Sequence, residues 1–384
     1  MADGVFGDNC ICFSLLSQPC GAMKSRETKV KSFFHSRNTR YGVTDSTFPL
    51  LGQLKHFRES FALSDGNTGI IDFQPLDHIR IDYEGQLTLV TELEKGEFLV
   101  DYCSGPDVSI INFSASVNEF RTRLTNAGNF NNAAFCLSVN GYNFHHFLFE
   151  ILPSLIAFKE ELQETDKLIL GATVGASFIE EFNDVLKFHK SIELLPLRSS
   201  IEVTNAFAIT SFPFRIYPID ILEEIRLQMR QESEIFSSDK GAEICFIGRA
   251  DRDRNRRNLL NEDAVLREIV GCFGNVVVIR PGIAKLIETV AQIRDSRVIV
   301  GVLGGSLAHL VWAQSLELFV EIVPHAYFGA TETEELSKIY GFEYRRINSS
   351  NVDSDNWAWA NQNCDTSELH SVLQDLNPHF IRQC

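Results

Sequence analysis

From residue 133 onward the chain switches back and forth between two hydrophobic periods. The apolar runs AAFCLSV (133–139), KLILGATV (167–174), IELLPL (192–197) and VTNAFAIT (203–210) have the length of strands. Between them, residues 143–162 and 176–188 space their apolar positions three and four apart, as a helix does. Strands alternating with helices predict parallel βαβ units. The segment FPFRIYP (212–218), with two prolines and no period, breaks the pattern, and a polar helix is expected over 219–236. The alternation then restarts with EICFIG, a helix over 262–272, NVVVIR, a helix over 284–294, RVIVGVL, a helix over 306–314, and LELFVEIV. This second half is the cleaner Rossmann-like unit.

The expected organisation is therefore α/β. It comprises an N-terminal α/β domain (1–218), a C-terminal Rossmann-like domain (219–365), and a C-terminal helix (366–384) packing back on the N-terminal domain. The first hundred residues give only short, poorly periodic strands such as TLVTEL and VSIINFS, with no repeat and no low-complexity segment.

Composition narrows the function classes. With 384 residues, 44% hydrophobic and 22% charged, the chain is long enough for two ordinary cores. A net charge of −16 argues against nucleic acid and anionic membrane as partners, because a phosphate surface meets repulsion almost everywhere. Any phosphate site must be local. No apolar run approaches the ~20 residues of a membrane span, and the start, MADGVFGDNCICFSLLSQPCGAMK, lacks a basic leader, so membrane contact is expected to be peripheral at most. Nine cysteines without a CxxC pair suggest reduced thiols and a cytoplasmic location. Cys10, Cys12 and Cys20 lack the partners that would complete a metal site.

Three segments carry chemistry. In GYNFHHFLFEILPSL (141–155), Phe144, Leu148, Ile151, Leu155 and Phe158 form one apolar stripe, while Asn143, His146 and Glu150 share another face. Pro153 limits or kinks the helix and holds that polar stripe near an element end. An imidazole and a carboxylate so placed either converge on one substrate atom or satisfy each other as a half-buried pair. In IGRADRDRNRRNLLNEDAVL, five arginines fall within residues 249–257, just after a strand, and Asn261 is placed to cap the next helix. Guanidinium groups at the carboxyl end of a strand suit phosphate, and the alternative is a solvated loop. In VIVGVLGGSLAHLVW, Gly301, Gly304 and Gly305 join a buried strand to a helix, where bare N–H groups cradle phosphate or glycine simply permits the turn. No Walker lysine follows. Asp251-Arg252-Asp253 and Asp353-Ser354-Asp355 match DxD formally, but the first is neutralised by its arginines and the second lacks a leading strand, so no metal site is expected.

Together these segments resemble glycosyltransferase family 61. NFHHFLFEILPSL is similar to its Asn-x-x-His-x-x-x-Asp/Glu-x-x-Pro signature, GRADRDRNRRNLLNED to its arginine-rich segment ending in Asn-Glu, and VIVGVLGGSLAHLVWAQSLELFVEIVP to its glycine turn followed by a strand with an embedded Glu. The resemblance spans residues 140 to about 345. It implies a GT-B-like fold, two Rossmann-like domains facing across a cleft, and a metal-independent inverting transfer. It places Asn143, His146 and Glu150 on the acceptor-facing helix, and Arg249, Arg257 and Asn261 in the donor-binding segment. Gly304, Gly305, Ser306 and His309 fall on the phosphate turn, and Glu321 at the donor sugar or ribose. Leu303 and His309 stand where the family usually has His and Asn.

The implied activity moves a sugar from a nucleotide donor, expected to be a UDP-sugar, to a saccharide or lipid-linked saccharide acceptor in surface polysaccharide assembly, with no separate cofactor. Either Glu150 or His146 serves as the base. A nucleotide-sugar epimerase and a non-catalytic sugar-nucleotide or glycan-binding protein are the alternatives.

Overall fold

The computed structural model describes residues 29–32, 70–84, 88–94, 97–98, 121–137, 143–171, 177–209, 211–212, 217–249, 258–325, 327, 331–352 and 361–381. They form two mixed sheets with helices, an α/β architecture as expected. The first sheet contains β1 (Lys29–Ser32), β2 (Ile70–Tyr83), β3 (Thr88–Glu92), β4 (Glu97–Phe98), β5 (Thr125–Cys136), β6 (Lys167–Gly171), β7 (Ile192–Leu195) and β8 (Ser199–Ile209). Its order is β4-β3-β2-β8-β5-β6-β7, with β1 on β2. Strands β8, β5, β6 and β7 run parallel, as the alternation predicts. The extension β2-β3-β4 is antiparallel and comes from the segment whose pattern said least.

The second sheet holds β9 (Ile244–Ile247), β10 (Val277–Ile279), β11 (Val298–Val302), β12 (Leu318–Pro324), β13 (Glu343–Asn351) and β14 (Gln362–Cys364), in the order β10-β9-β11-β12-β13-β14. All pairs are parallel except β13 with β14. In this order the third strand, β11, lies on the opposite side of β9 from β10, which is the flavodoxin-like arrangement rather than that of a dinucleotide fold. The order reverses between β9 and β11, and that crevice is where α/β sheets of this kind bind ligands.

The helices are α1 (Phe144–His146), α2 (Leu152–Ala157), α3 (Lys159–Leu162), α4 (Ser177–Leu186), α5 (Ile219–Phe236), α6 (Glu262–Phe273), α7 (Leu286–Ile293), α8 (Glu332–Tyr340) and α9 (Thr366–Ile381). Among the described residues none is long and apolar enough to cross a membrane. Period-two alternation splits each central strand between two faces. Ile244 and Phe246 pack under α6 and α9, whereas Cys245 and Ile247 face the other way. Ala134, Cys136, Leu168 and Leu170 of the first sheet join Cys245, Ile247, Ile299 and Phe319 of the second in one hydrophobic cluster, with α2, α4, α5 and α7 between them. The two halves thus share a core.

Helix α5 forms where expected and packs against α2, α4 and α7, touching elements of both halves. Residues 213–216 of the expected linker lie outside the described residues. The C-terminal helix forms from Thr366, and its described side chains pack on the second sheet rather than back on the N-terminal domain. Its Leu369 and Leu373 join Val265 and Ile269 of α6, and His370 pairs with Glu268 at 2.8 Å, so it is a layer of the second sheet.

Candidate active site

The helix expected over 143–162 is broken into α1, a π-helical stretch Phe147–Ile151, α2 and α3. Asn143 starts it by accepting a hydrogen bond from the His145 N–H at 3.0 Å. Pro153 has no N–H, and its ring crowds the carbonyl of Phe149 in an α-helix, so the turn widens ahead of it. The Leu152 N–H bonds to Phe147, five residues back. This segment is buried nearly all round, because it lies between the two sheets. The single apolar stripe read from spacing is therefore too narrow.

His146 and Glu150 keep their shared face across this transition. The imidazole Nδ1 and a carboxylate oxygen lie 2.5 Å apart, with the side chains 21% and 7% exposed. Burial and the neighbouring Glu150 carboxylate push the Cys136 thiol far above its ordinary range, which places Glu150 beside the carboxyl end of β5.

A cavity of about 390 Å³ opens next to this helix. It is lined by Asn143 and Phe144 from the helix start, Ser177, Phe178 and Glu181 from α4, Arg249, the turn Pro281, Gly282 and Ala284, Leu286 and Thr289 from α7, and Gly305, Ser306 and His309. Arg249 follows β9, and the glycine turn follows β11, so the cavity sits at the carboxyl ends of the two strands flanking the switch.

The glycine pair has a steric basis specific to this site. A Cβ on Gly304 would stand 2.6 Å from Arg249 Nη1, and one on Gly305 would stand 2.6 Å from Asn143 Oδ1. Bare backbone thus lets a guanidinium and an amide close on the same turn. Arg249 also donates to the Leu303 carbonyl at 3.4 Å. A guanidinium beside the first N–H groups of the helix Gly305–Trp312 makes an anion-binding corner.

Residues 305–312 form a 3₁₀ helix rather than the expected α-helix. Side chains three apart eclipse in that geometry. Trp312 accordingly donates its indole N–H to His309 Nδ1 at 3.1 Å. Burial lowers the His309 pKa to about 3, so the ring is neutral and its proton resides on Nε2. Phe144 stacks on its face, with centroids 4.0 Å apart and planes 4° from parallel.

Of the sequence-predicted residues, Asn143, Arg249, Gly305, Ser306 and His309 line the cavity. Gly304 lies directly under Arg249. His146 and Glu150 adjoin the cavity on the same helix without lining it. Two assignments are corrected. Asn261 makes no side-chain cap; its amide donates to the Cys364 carbonyl at 2.8 Å and accepts from the Cys364 N–H at 3.0 Å, so both ends are occupied in clamping β14. Glu321 is fully buried in β12, where Thr331, Thr333 and Tyr344 hydroxyls donate to one oxygen at 2.6, 2.5 and 2.8 Å, and it does not reach the cavity. Arg257, both DxD segments, and Cys10, Cys12 and Cys20 lie outside the described residues.

Sequence reasoning missed Ser177, Phe178, Glu181, Thr289 and the 281–284 turn. The available signal was positional: α4 and the turn after β10 both follow carboxyl ends of parallel strands. Arg280, at the end of β10, was also passed over. It pairs with Glu262, and a Cβ on Gly248 would stand 2.5 Å from its Nη1.

Comparison with known families matches residues 144–317 to the model described as Glycosyltransferase 61. None of the curated proteins matches the chain.

Proposed function

Over residues 144–317 the chain belongs to glycosyltransferase family 61, and from that premise we propose that it transfers a sugar from a nucleotide donor, a UDP-sugar, to a saccharide acceptor with inversion at the anomeric carbon. One observation carries this reading. Arg249 and Asn143, from segments about a hundred residues apart in sequence, close on the adjacent glycines of one turn at the crevice between β9 and β11. That corner suits a diphosphate. The flanking cavity, with hydroxyl, amide and aromatic walls, suits the nucleoside attached to it.

In the proposed reaction the acceptor hydroxyl attacks the anomeric carbon, its proton passes to the His146–Glu150 pair, and the bond from that carbon to the diphosphate oxygen breaks. Arg249, the N–H groups of the glycine turn and the neutral His309 Nε2–H hold the departing diphosphate, so the charge is met by fixed donors rather than by a cation. The two-sheet arrangement with its ligand crevice supports a GT-B-type fold. Among the described residues the buried thiols Cys136, Cys245, Cys272 and Cys364 form no disulfide, which supports a cytoplasmic location, where surface polysaccharide is assembled on lipid-linked acceptors.

Isothermal titration with UDP tests the donor site. Wild-type protein should bind UDP, and Arg249→Ala should weaken binding by about 1.5 to 3 kcal/mol, the range for a hydrogen bond to a charged group. Unchanged affinity removes Arg249 from the site. Transfer that survives EDTA supports the metal-independent route, and loss restored by Mn²⁺ overturns it. An epimerase would convert the donor sugar with no acceptor present, so product analysis with and without saccharide separates that activity from transfer.

A further inference from the structure

Glu181 is the cavity's one carboxylate among the described residues, and it comes from the first half of the chain. It lies on α4, one turn beyond Ser177 and Phe178, which face the same space. One of its oxygens accepts the backbone N–H of Leu286 at the start of α7, in the second half. Lys285, at the capping position, carries no side-chain acceptor, and Glu288 accepts only the Lys285 N–H, at 3.4 Å. Glu181 therefore caps α7 from across the interface, and the cap fixes the carboxylate in place. Its second oxygen has no hydrogen-bond partner among the described residues.

The cavity's two charged side chains are held by different elements, Arg249 by the glycine turn and Glu181 by the start of α7. Arg249 and the glycine turn make the anionic end of the ligand face the switch point. A fixed carboxylate repels phosphate, so the ligand group beside it is uncharged and offers a proton, because an ionised carboxylate only accepts. His146 and Glu150 lie outside the lining. With the base there, the glycosyl end of the donor leads out of the cavity past Asn143, and the enclosed part is the nucleoside. The first hydroxyl-bearing group after a nucleoside diphosphate's phosphates is the ribose.

We propose that Glu181 recognises the ribose hydroxyls of the donor nucleotide, so that the donor is held by both halves: its diphosphate by the second sheet and its ribose by α4 of the first. This rests on the donor-site reading above. A charged acceptor facing a diol also selects against donors that lack it.

The test compares UDP with 2′,3′-dideoxy-UDP by isothermal titration on the full chain, in wild type, Glu181→Gln, Glu181→Ala and Arg249→Ala. Wild type should prefer UDP on the order of ten- to a hundredfold, the range of one hydrogen bond to a charged group. Glu181→Ala should bring that preference to about twofold or less, while Arg249→Ala weakens both ligands alike and leaves the preference intact. Should Glu181→Ala fail to fold through loss of the α7 cap, Glu181→Gln carries the test, since an amide oxygen still caps α7. A preference reduced at least about threefold supports the proposal, and an unchanged one overturns it. A wild-type preference near one overturns it as well and leaves the donor site standing. Wild-type protein that binds neither ligand sinks both.

Discussion

Phe144 covers the face of His309 at 4.0 Å while Trp312 holds the ring's Nδ1, so the imidazole is gripped on one face and one edge and keeps a single N–H. At the position where the family usually carries an amide, this chain has a neutral ring whose tautomer is set by an indole. A donor that cannot become an acceptor suits a site for diphosphate oxygens.

Burial of that ring makes stability depend on pH. The folded-state pKa of His309 is about 3, against 6.5 for an unperturbed ring. Below 6.5 the unfolded chain takes up a proton that the folded chain refuses, so stability falls as pH drops from 6.5 towards 3. Between pH 6.5 and 5 the loss amounts to about 2 kcal/mol, at about 1.4 kcal/mol per unit. Urea denaturation of wild type and His309→Asn across this range measures it: the two curves should diverge by that amount, and parallel curves exclude the effect.

The two glycines of the turn should respond differently to alanine. In Gly305→Ala the new methyl meets Asn143, whose short side chain also caps α1, so about 1 kcal/mol of stability should be lost along with UDP affinity. In Gly304→Ala the methyl meets the far end of the Arg249 side chain, which can swing aside. Its melting temperature should stay near wild type while UDP binding weakens. A Gly305→Ala protein matching wild type in both measurements contradicts the close approach of Asn143.

Glu150→Gln separates chemistry from packing, because it keeps volume and hydrogen-bonding capacity but accepts no proton. We expect kcat to fall by about 10² to 10⁴ with UDP affinity unchanged. His146→Ala should be at least as damaging. The double mutant should be little worse than either single one, since the pair acts as a unit at 2.5 Å. Near-wild-type turnover in both single mutants removes the pair from the reaction.

Glu321 supplies a pH dependence of opposite sign. Burial outweighs its three hydroxyl donors and raises its pKa from 4.5 to about 7. Between those values the folded chain holds a proton that the unfolded chain has released, so stability declines as pH rises from 4.5 to 7 and levels off above. The full decline is on the order of 3 kcal/mol. Subtracting the Glu321→Gln stability curve isolates this slope, and a flat difference between pH 4.5 and 7 refutes it.

Much of the fold was readable where strands are buried on both faces. EICFIG and RVIVGVL are continuous apolar runs because both sides of β9 and β11 are covered. Strand β2 was not readable. Its Ile79, Ile81 and Tyr83 face a core, but Asp82 between them is also buried, satisfied by Ser200 at 2.6 Å and Arg121 at 2.8 Å. Partners that distant in sequence leave no local signal. The same limit divides the site. Asn143, Arg249, Gly305 and His309 announced themselves by residue type and position beside strand ends. Glu181 became part of the cavity only through packing of α4 against α7, and Asn261 was misread because its partner is a backbone group about a hundred residues away.

The hydrophobic cluster that joins Leu168 and Leu170 to Ile299 and Phe319 bears on how the chain folds. Were the polypeptide cut between Pro218 and Ile219, each fragment would present a bare apolar sheet face and half of the helices meant to cover it. Each half keeps a smaller core on the other face of its sheet, but both lose the largest one, so the described core should melt as a single cooperative unit. A nucleotide bound at the β9–β11 crevice then protects Leu168 and Phe182 against unfolding as fully as it protects Ile299.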